Sequence, residues 1–309
     1  MKVKQSIPKE LRYSVKDFNG EFPTDAACLE YVKEQRWPDG MAPCAKCGKK
    51  TKHHRVGNRT AYACQYCGNH IYPLAGTIFE KSSTSLKTWF YAMYLMGSTR
   101  CGISAKQIQR ETGVTYKTAW RIFKQVRTLL SDGDLQLEGP TVEVDEMYYG
   151  GKRKGQHGRP MRGDKKKIPV VAIVQRGGRV VAKVMPDLRS AKVLRVIRDH
   201  VTPGSTIYTD EYSIYDRISR MQAKDGKLAR FNHKRIRHAS GVYVIGDIHT
   251  NTVEGLWSLI KRGISGVYHS VSPAYLQTYL DEYTFRYNCR HEGNQQFRSI
   301  LERASRRVS

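Results

Sequence analysis

Two short cysteine motifs constrain the fold of this chain more tightly than any other part of its sequence. Cys44 and Cys47 form one CxxCG motif, Cys64 and Cys67 form a second, and the 16 residues 48–63 lie between them. Structural zinc takes four soft ligands in a tetrahedron, and the glycine after each pair permits the tight turn that presents two thiolates. The intervening residues read as a hairpin, so the spacing predicts a structural Zn²⁺ in a zinc ribbon over residues 41–80. Four cysteines leave no open coordination position, which disfavours a catalytic zinc.

The charge of the chain predicts an anionic partner. There are 53 Lys and Arg residues against 28 Asp and Glu, giving a formal net charge of +25 that is spread along the whole sequence. Such a field favours nucleic acid, with a ribosomal-type role or an anionic membrane as the alternatives. The sequence has no long basic amphipathic helix, lipidation motif or apolar signal core, so we expect no membrane partner. Seven cysteines without a secretory signal favour a cytoplasmic, reducing location.

Helical patterns flank the ribbon on both sides. Residues 1–40 are predicted to form a helical adaptor in which Thr24 caps a helix that ends before Pro38. Residues 84–134 read as a helix-turn-helix domain, in which Ser104 caps the first helix, Gly113 lies in the turn and Thr115 or Tyr116 opens the second helix. The predicted buried face of the second helix carries Ala119, Ile122, Phe123, Val126 and Leu130. The exposed face of the second helix carries Lys117, Arg121, Lys124 and Arg127. These side chains are candidate DNA contacts, and a plain helical hairpin is the alternative.

The stretch Thr141–Gly151 alternates apolar and acidic residues with the period of a strand. Val142 and Val144 lie on one face of that strand, and Glu143 and Asp145 lie on the other. A carboxylate on a half-buried strand needs a cation partner, either a salt bridge or a metal, unless this is an ordinary solvated edge strand. The basic loop over residues 150–167 follows, and its Lys152, Arg153 and Lys154 are further candidate phosphate contacts.

Downstream patterns predict a mixed sheet. Residues 168–175, 179–185 and 205–209 read as strands, with a helix over 191–200 before the last of them and a short helix over 212–218 after it. If the fourth strand lies parallel to the first and next to it, Asp145 and Asp210 become neighbours, as in a ribonuclease-H-like domain. A later helix offers a third acid, Glu254, beside an apolar stripe, with Asn251 or Thr252 as its cap. Mg²⁺ or Mn²⁺ prefers such carboxylates, and three acids can hold two ions for phosphodiester chemistry.

The sequence resembles the DDE transposases of bacterial insertion sequences, in the ISXO-like group with an N-terminal zinc ribbon. The resemblance covers about residues 20–300 and rests on the paired CxxCG motifs, VEVDEMYYGGK, IYTDEYSIY and the long block that begins HTNTVEGLWSLIKRGISGVYHS. It implies a multi-domain α/β chain whose ribonuclease-H-like catalytic domain spans 140–290, followed by a basic tail over 291–309. It also implies Mg²⁺-dependent cleavage and joining of transposon ends in a bacterial, nucleoid-associated setting. Asp145, Asp210 and Glu254 match the acidic triad of the family.

Some points stay open at the level of sequence. The third position of the triad can be read as Glu254 or as Asn251, and we prefer Glu254 because it is anionic. His249, Asn251 and Lys261 are expected to support the site, with Lys261 about 10 Å further along the helix, where it suits a neighbouring phosphate. Transposition joins two double-stranded ends and a target, so we expect a homodimer at least on DNA. A structure-specific nuclease and a non-catalytic DNA-binding protein are the competing interpretations.

The cysteine spacing yields a direct test. We expect purified protein to hold about one tightly bound zinc per chain, because four thiolates complete the tetrahedron. The substitution Cys64→Ser should release the metal and lower the melting temperature, as measured by metal analysis and thermal unfolding. The matched control is Cys28→Ser, which removes a cysteine outside both motifs and should leave the zinc content unchanged. Full zinc and full stability in Cys64→Ser would contradict the prediction.

Overall fold

The computed structural model describes residues 7–99, 101–150, 167–236 and 249–306. The chain divides into two compact units, of which the first comprises Met1–Leu130 with Cys289–Ser309 and the second comprises Ser131–Asn288. Among the described helices, none has the length and apolar character needed to cross a bilayer.

The two units contain nine helices and nine strands within the described residues. The α-helices are α1 (Val15–Glu21), α2 (Asp25–Arg36), α3 (Leu86–Ser98), α4 (Ala105–Thr112), α5 (Tyr116–Thr128), α6 (Ser190–His200), α7 (Asn251–Gly263), α8 (Leu276–Asn288) and α9 (Gln296–Ser305). The strands are β1 (Met41–Pro43), β2 (Lys50–Arg55), β3 (Tyr62–Cys64), β4 (His70–Ile71), β5 (Thr141–Tyr149), β6 (Ile168–Gln175), β7 (Val180–Val184), β8 (Thr206–Thr209) and β9 (Asn232–Arg235). Short 3₁₀ turns cover Lys9–Leu11, Ser213–Tyr215, Ile218–Arg220, Pro273–Tyr275 and Arg290–Gln295, and a π-turn covers Ile264–Tyr268.

The ribbon in the first unit is a four-stranded antiparallel sheet in the order β1-β2-β3-β4. Gly48 and Gly68 follow the two cysteine motifs with φ values of 69° and 70°, in the left-handed region that glycine adopts without strain. The glycines therefore have the role that the CxxCG pattern predicts. The predicted cap of the preceding helix is also confirmed, because the Ala27 N–H donates to the Thr24 hydroxyl.

Helices α4 and α5 are consecutive, and each has a local signal at its end or start. Gly113 ends α4 with φ 72°, and the hydroxyls of Ser104 and Thr115 accept from the third residues of α4 and α5. One face of α5 is buried through Ala119, Ile122, Phe123 and Val126. The predicted helix boundaries and buried face therefore hold.

The prediction of a basic tail over 291–309 is wrong for the residues that form helix α9. Residues 296–305 are helical, and Phe297, Ile300, Leu301 and Ala304 are buried in the first unit. A Cβ at Gly97 of α3 would lie 2.6 Å from the Phe297 backbone nitrogen, so the absent side chain allows α9 to approach α3 closely. The prediction considered the basic residues of this segment and overlooked its apolar residues, which recur at helical spacing.

The second unit is built on a five-stranded sheet in the order β7-β6-β5-β8-β9. Strand β6 is antiparallel to both of its neighbours, β7 and β5, and β8 and β9 run parallel to β5. The expected parallel pairing of the first and fourth strands is confirmed by the register Thr141↔Thr206 and Glu143↔Tyr208. Continuing that register brings Asp145 level with Asp210. The sequence did not predict β9, and the short helix expected at 212–218 is a pair of 3₁₀ turns.

Both faces of this sheet are covered. Val142, Val144 and Ile173 pack in one apolar cluster with Val193 and Ile197 of α6. On α7, the predicted apolar stripe of Val253, Leu256, Trp257 and Ile260 is buried. Two side-chain amides of α8 form hydrogen bonds with the backbone groups at the outer edge of β7. Gln277 bonds the backbone of Ala182 and Val184, and Asn288 bonds the backbone of Val180. Such coverage removes an open strand edge.

The packing of α9 leads to a stability prediction. Phe297 is fully buried and its ring centroid lies 4.7 Å from that of Tyr13. We expect Phe297→Ala to lower the unfolding free energy of the first unit by about 3–5 kcal/mol, because it removes buried ring surface and leaves a cavity. Thermal or urea unfolding of the full chain measures this. The exposed neighbour Glu302 gives the control Glu302→Ala, expected within about 0.5 kcal/mol of wild type. Equal effects would mean that α9 contributes no core.

Candidate functional site

Three carboxylates meet beyond the end of β8. Asp145, Glu146 and Asp210 each offer an oxygen within 4.8 Å of the others. Asp145 and Glu146 are consecutive on β5 and leave the strand on opposite faces, while Asp210 directly follows β8. Glu146 accepts from the Tyr215 hydroxyl at 2.7 Å, and Tyr215 belongs to the apolar layer on the α6 side. The sequence predicted the Asp145–Asp210 pair, and it missed Glu146.

Asp145 is held in an environment that disfavours its charge. Its Oδ2 accepts from the Trp257 indole N–H at 2.9 Å. Burial raises the pKa of Asp145 to about 6, the Trp257 and Glu146 hydrogen bonds oppose that rise, and the charges of Asp210 and Glu254 add to it. A divalent cation at this position would compensate the clustered negative charge, and carboxylate oxygens are the donors that Mg²⁺ and Mn²⁺ prefer. The donor set therefore fits such an ion.

Glu254 lies beside the three-acid group without being part of it. It is exposed in the first turn of α7, and its Oε1 accepts from the Thr250 hydroxyl at 3.3 Å. Its charge reaches Asp145, since it contributes to the raised pKa of that residue. Asn251 is exposed on the same turn, and Lys261 is exposed in the last turn. The expected cap at Asn251 or Thr252 is wrong, because the N-cap residue is Thr250, whose side chain makes no capping hydrogen bond.

The start of α7 is instead capped by a carboxylate from β5. Glu143 is fully buried, and its oxygens accept from the Thr252 and Val253 N–H groups at 2.8 and 3.0 Å. Arg176 Nε donates to the same carboxylate at 2.7 Å, and Nδ1 of His249 lies 3.3 Å from it. The sequence placed Glu143 correctly on the Asp145 face, but it did not identify this partner set.

The four motif cysteines of the first unit converge on one point. Their sulfurs all lie within 4.8 Å of one another, with 3.5 Å between Cys44 and Cys67 and 3.8 Å between Cys47 and Cys64. Tetrahedral ligands at the usual Zn–S length are about 3.8 Å apart, so the sulfur positions fit zinc. The backbone N–H of Cys47 lowers the pKa of the Cys44 thiol to about 6. The pKa of Cys67 rises to about 11 despite the Asn69 N–H, because burial and hydrogen bonds with the other three thiols favour its protonated form, so zinc would have to displace that proton.

The basic side chains expected on α5 divide into two groups. Lys117, Arg121 and Lys124 are exposed, although Arg121 also donates to the hydroxyls of Ser82 and Thr84. Arg127 is buried, with its guanidinium 3.6 Å from the Phe123 ring centroid, so the expectation that it lies on the exposed face is wrong. The predicted contacts Lys152, Arg153 and Lys154 lie outside the described residues.

The pKa of Asp145 gives a test of its environment. An acid whose folded pKa is raised binds more protons in the native than in the unfolded state, so its contribution to stability falls as pH rises through about 6. In buffer without Mg²⁺ or Mn²⁺, Asp145→Asn should gain about 1.4 kcal/mol relative to wild type between pH 5 and pH 8. Urea unfolding at both pH values measures the difference. The exposed Asp225→Asn is the control, and a gain independent of pH would refute the raised pKa.

Comparisons with known proteins identify two domain families in the chain. Residues 136–288 match the ISXO2-like transposase domain, and residues 23–70 match the transposase zinc-ribbon domain. An uncharacterized protein in transposable element ISH50 of Halobacterium salinarum is 29% identical over 304 residues, covering 92% of this chain and 98% of that protein. An uncharacterized transposase-like protein of Haemophilus influenzae is 27% identical over 110 residues, covering 36% and 81%.

A solved chain in a pre-cleavage Mos1 transpososome matches 66% of this chain and 75% of its own, at 12% identity and a TM-score of 0.26. A TM-score this low does not establish a shared fold. The two domain matches lie in the order that the sequence predicts, and the ISH50 protein is similar along nearly its whole length. The chain therefore belongs to the ISXO2-like, DDE-type insertion-sequence transposases that carry an N-terminal zinc ribbon.

Proposed function

We propose that this transposase binds the terminal inverted repeats of its insertion sequence and catalyses metal-dependent cleavage and strand transfer of DNA. The observation that carries the proposal is the meeting of Asp145 and Asp210 from parallel neighbouring strands, with Glu254 beside them, inside the transposase domain. The strand order supports a ribonuclease-H-like architecture, because three antiparallel strands are followed by two parallel ones. Residues 140–290 would form that catalytic domain.

Asp145, Asp210 and Glu254 would hold Mg²⁺ or Mn²⁺, and Glu146 is close enough to share in the set. When bound, two such ions activate a water or hydroxyl nucleophile and stabilise the leaving oxyanion. The chain contributes the orientation of the ligands. Trp257 fixes one oxygen of Asp145, and the Tyr212 N–H donates to Asp210 at 2.9 Å. Preorganised carboxylates lose little orientational freedom when a cation binds.

DNA recognition is assigned to the first unit and to the basic loop. The α4–α5 pair would act as a helix-turn-helix, with Lys117, Arg121 and Lys124 directed to phosphates or bases. The ribbon would be held by Zn²⁺ at its four cysteines. Lys152, Arg153 and Lys154 would contact the backbone, and Lys261 a phosphate close to the acids. Joining two ends requires at least a homodimer in the DNA complex.

Paired binding and cleavage assays test the proposal. Wild-type protein incubated with Mn²⁺ and a plasmid carrying the inverted repeats should give integration products. Asp145→Asn, Asp210→Asn and Glu254→Gln should each lose cleavage on the order of 10³-fold, because transition-state charge is no longer stabilised, and should still bind ends in Ca²⁺. Lys261→Ala should weaken end binding, with a smaller loss of rate at saturating DNA.

The controls and contrary outcomes separate the alternatives. Asp225→Asn removes an exposed acid of the same unit and should cleave normally. Nicks without joined products would indicate a nuclease, and binding without any cleavage would indicate a non-catalytic DNA-binding protein. Normal cleavage by Glu254→Gln together with loss in Asn251→Ala would transfer the third ligand role to Asn251.

A further inference from the structure

We infer that Glu143 is a positioning residue, which holds the first turn of α7 so that Glu254 stays beside Asp145 and Asp210. The inference rests on the proposed metal site. It concerns a residue that is too buried to touch DNA, since none of its surface is exposed. Its influence on the site must therefore pass through the groups that it binds.

The contacts of Glu143 join four parts of the second unit. From α7 it accepts the Thr252 N–H, the Thr252 hydroxyl and the Val253 N–H, at 2.8, 2.8 and 3.0 Å. From the β6–β7 turn it accepts Arg176 Nε, and the same guanidinium donates to the His249 carbonyl at 2.8 Å. Arg176 also stacks 4.4 Å from the ring centroid of Tyr208 on β8. Glu143 and Arg176 thus connect β5 and β8 to His249, just before α7, and to Thr252 and Val253 in its first turn.

The location of these contacts on the sheet connects them to the acids. Glu143 pairs with Tyr208 across the parallel strands, and Asp145 and Asp210 follow two residues later on each strand. Residues two apart on a strand share a face, so the α7 contacts and Asp145 lie on the same side of the sheet. Glu254 follows the bonded Val253 directly. The fixed carboxylate of Glu143 therefore sets the distance between the sheet and the turn of α7 that carries Glu254.

Local capping cannot replace this contact. The Thr250 side chain makes no capping bond to α7, since its hydroxyl donates to the Glu254 carboxylate, and the Thr252 and Val253 N–H groups bond Glu143 instead. Shortening that side chain by one methylene would draw the helix start toward the strand or break its bonds. Metal sites need their ligands placed to within about 0.5 Å, so such a shift weakens ion binding.

Matched Glu→Asp substitutions test the inference in the full-length protein. Glu143→Asp is compared with Glu282→Asp, which shortens another buried acid of the same unit, paired with Arg286 at 2.8 Å on α8. The readouts are Mn²⁺ binding to DNA-free protein by electron paramagnetic resonance and the Mn²⁺ concentration for half-maximal cleavage. We expect Glu143→Asp to raise the Mn²⁺ dissociation constant and the Mn²⁺ concentration for half-maximal cleavage about tenfold or more, the size of effect that a misplaced ligand produces. Glu282→Asp should change them less than twofold, even with a similar loss of melting temperature.

Two further variants keep the test decisive. Thr252→Val removes only the hydroxyl donor to Glu143. It should also raise the Mn²⁺ concentration for half-maximal cleavage, by a smaller factor than Glu143→Asp does. If Glu143→Asp does not fold, this variant tests the positioning role in its place. In a Glu254→Gln background, Glu143→Asp should add little, because both act through the same ligand. Unchanged Mn²⁺ binding in folded Glu143→Asp, equal shifts in Glu282→Asp, or full additivity with Glu254→Gln would overturn the inference.

The outcome is separable from that of the proposed function. If wild-type protein binds Mn²⁺ but joins no DNA, the transposition proposal fails, and the Mn²⁺ binding data still decide the role of Glu143. If wild-type protein binds no Mn²⁺ with or without DNA, the positioning role is overturned together with the metal site.

Discussion

The second unit depends on how a fully buried carboxylate is compensated. Glu143 could not remain charged in an apolar layer without partners, since an unpaired buried charge is among the costliest groups in a protein. The partners are Arg176 and the first N–H groups of α7, where the helix dipole also favours an anion. The contacts of Glu143 therefore fix the β6–β7 turn, the start of α7 and the β5–β8 pair relative to each other. The acidic site lies two residues further along β5 and just beyond the end of β8.

Asp145, two residues further along the same strand, is a carboxylate without the arginine partner that Glu143 has. It has one hydrogen bond from Trp257 and acidic neighbours, and its pKa rises to about 6. Glu143 is paired with Arg176, whereas the charges nearest to Asp145 are those of other acids, which is the environment that the proposed cation site requires. Glu143 and Asp145 thus share a face of β5 and differ in role because of what the tertiary fold brings to each.

In the first unit, glycine positions decide how closely the backbone can pack. Gly48 and Gly68 permit the tight turns that collect four sulfurs within bonding range of one ion. Gly97 permits α9, from the far end of the chain, to lie against α3. The ribbon is a local structure whose four cysteines could hold a metal ion, while the helical core of the same unit joins residues 200 positions apart, Gly97 and Phe297.

The sequence by itself determined the features whose causes act over a few residues or through strand topology. The cysteine spacing, the caps at Thr24, Ser104 and Thr115, the α7 stripe and the meeting of Asp145 with Asp210 are of this kind. Only the tertiary structure decided that α9 is core rather than tail, that Arg127 is buried, and that Glu143 caps α7. Local pattern specifies which residues could be buried or charged, whereas the partner that compensates a buried charge comes from another element, and its identity depends on long-range packing that no short window of sequence contains.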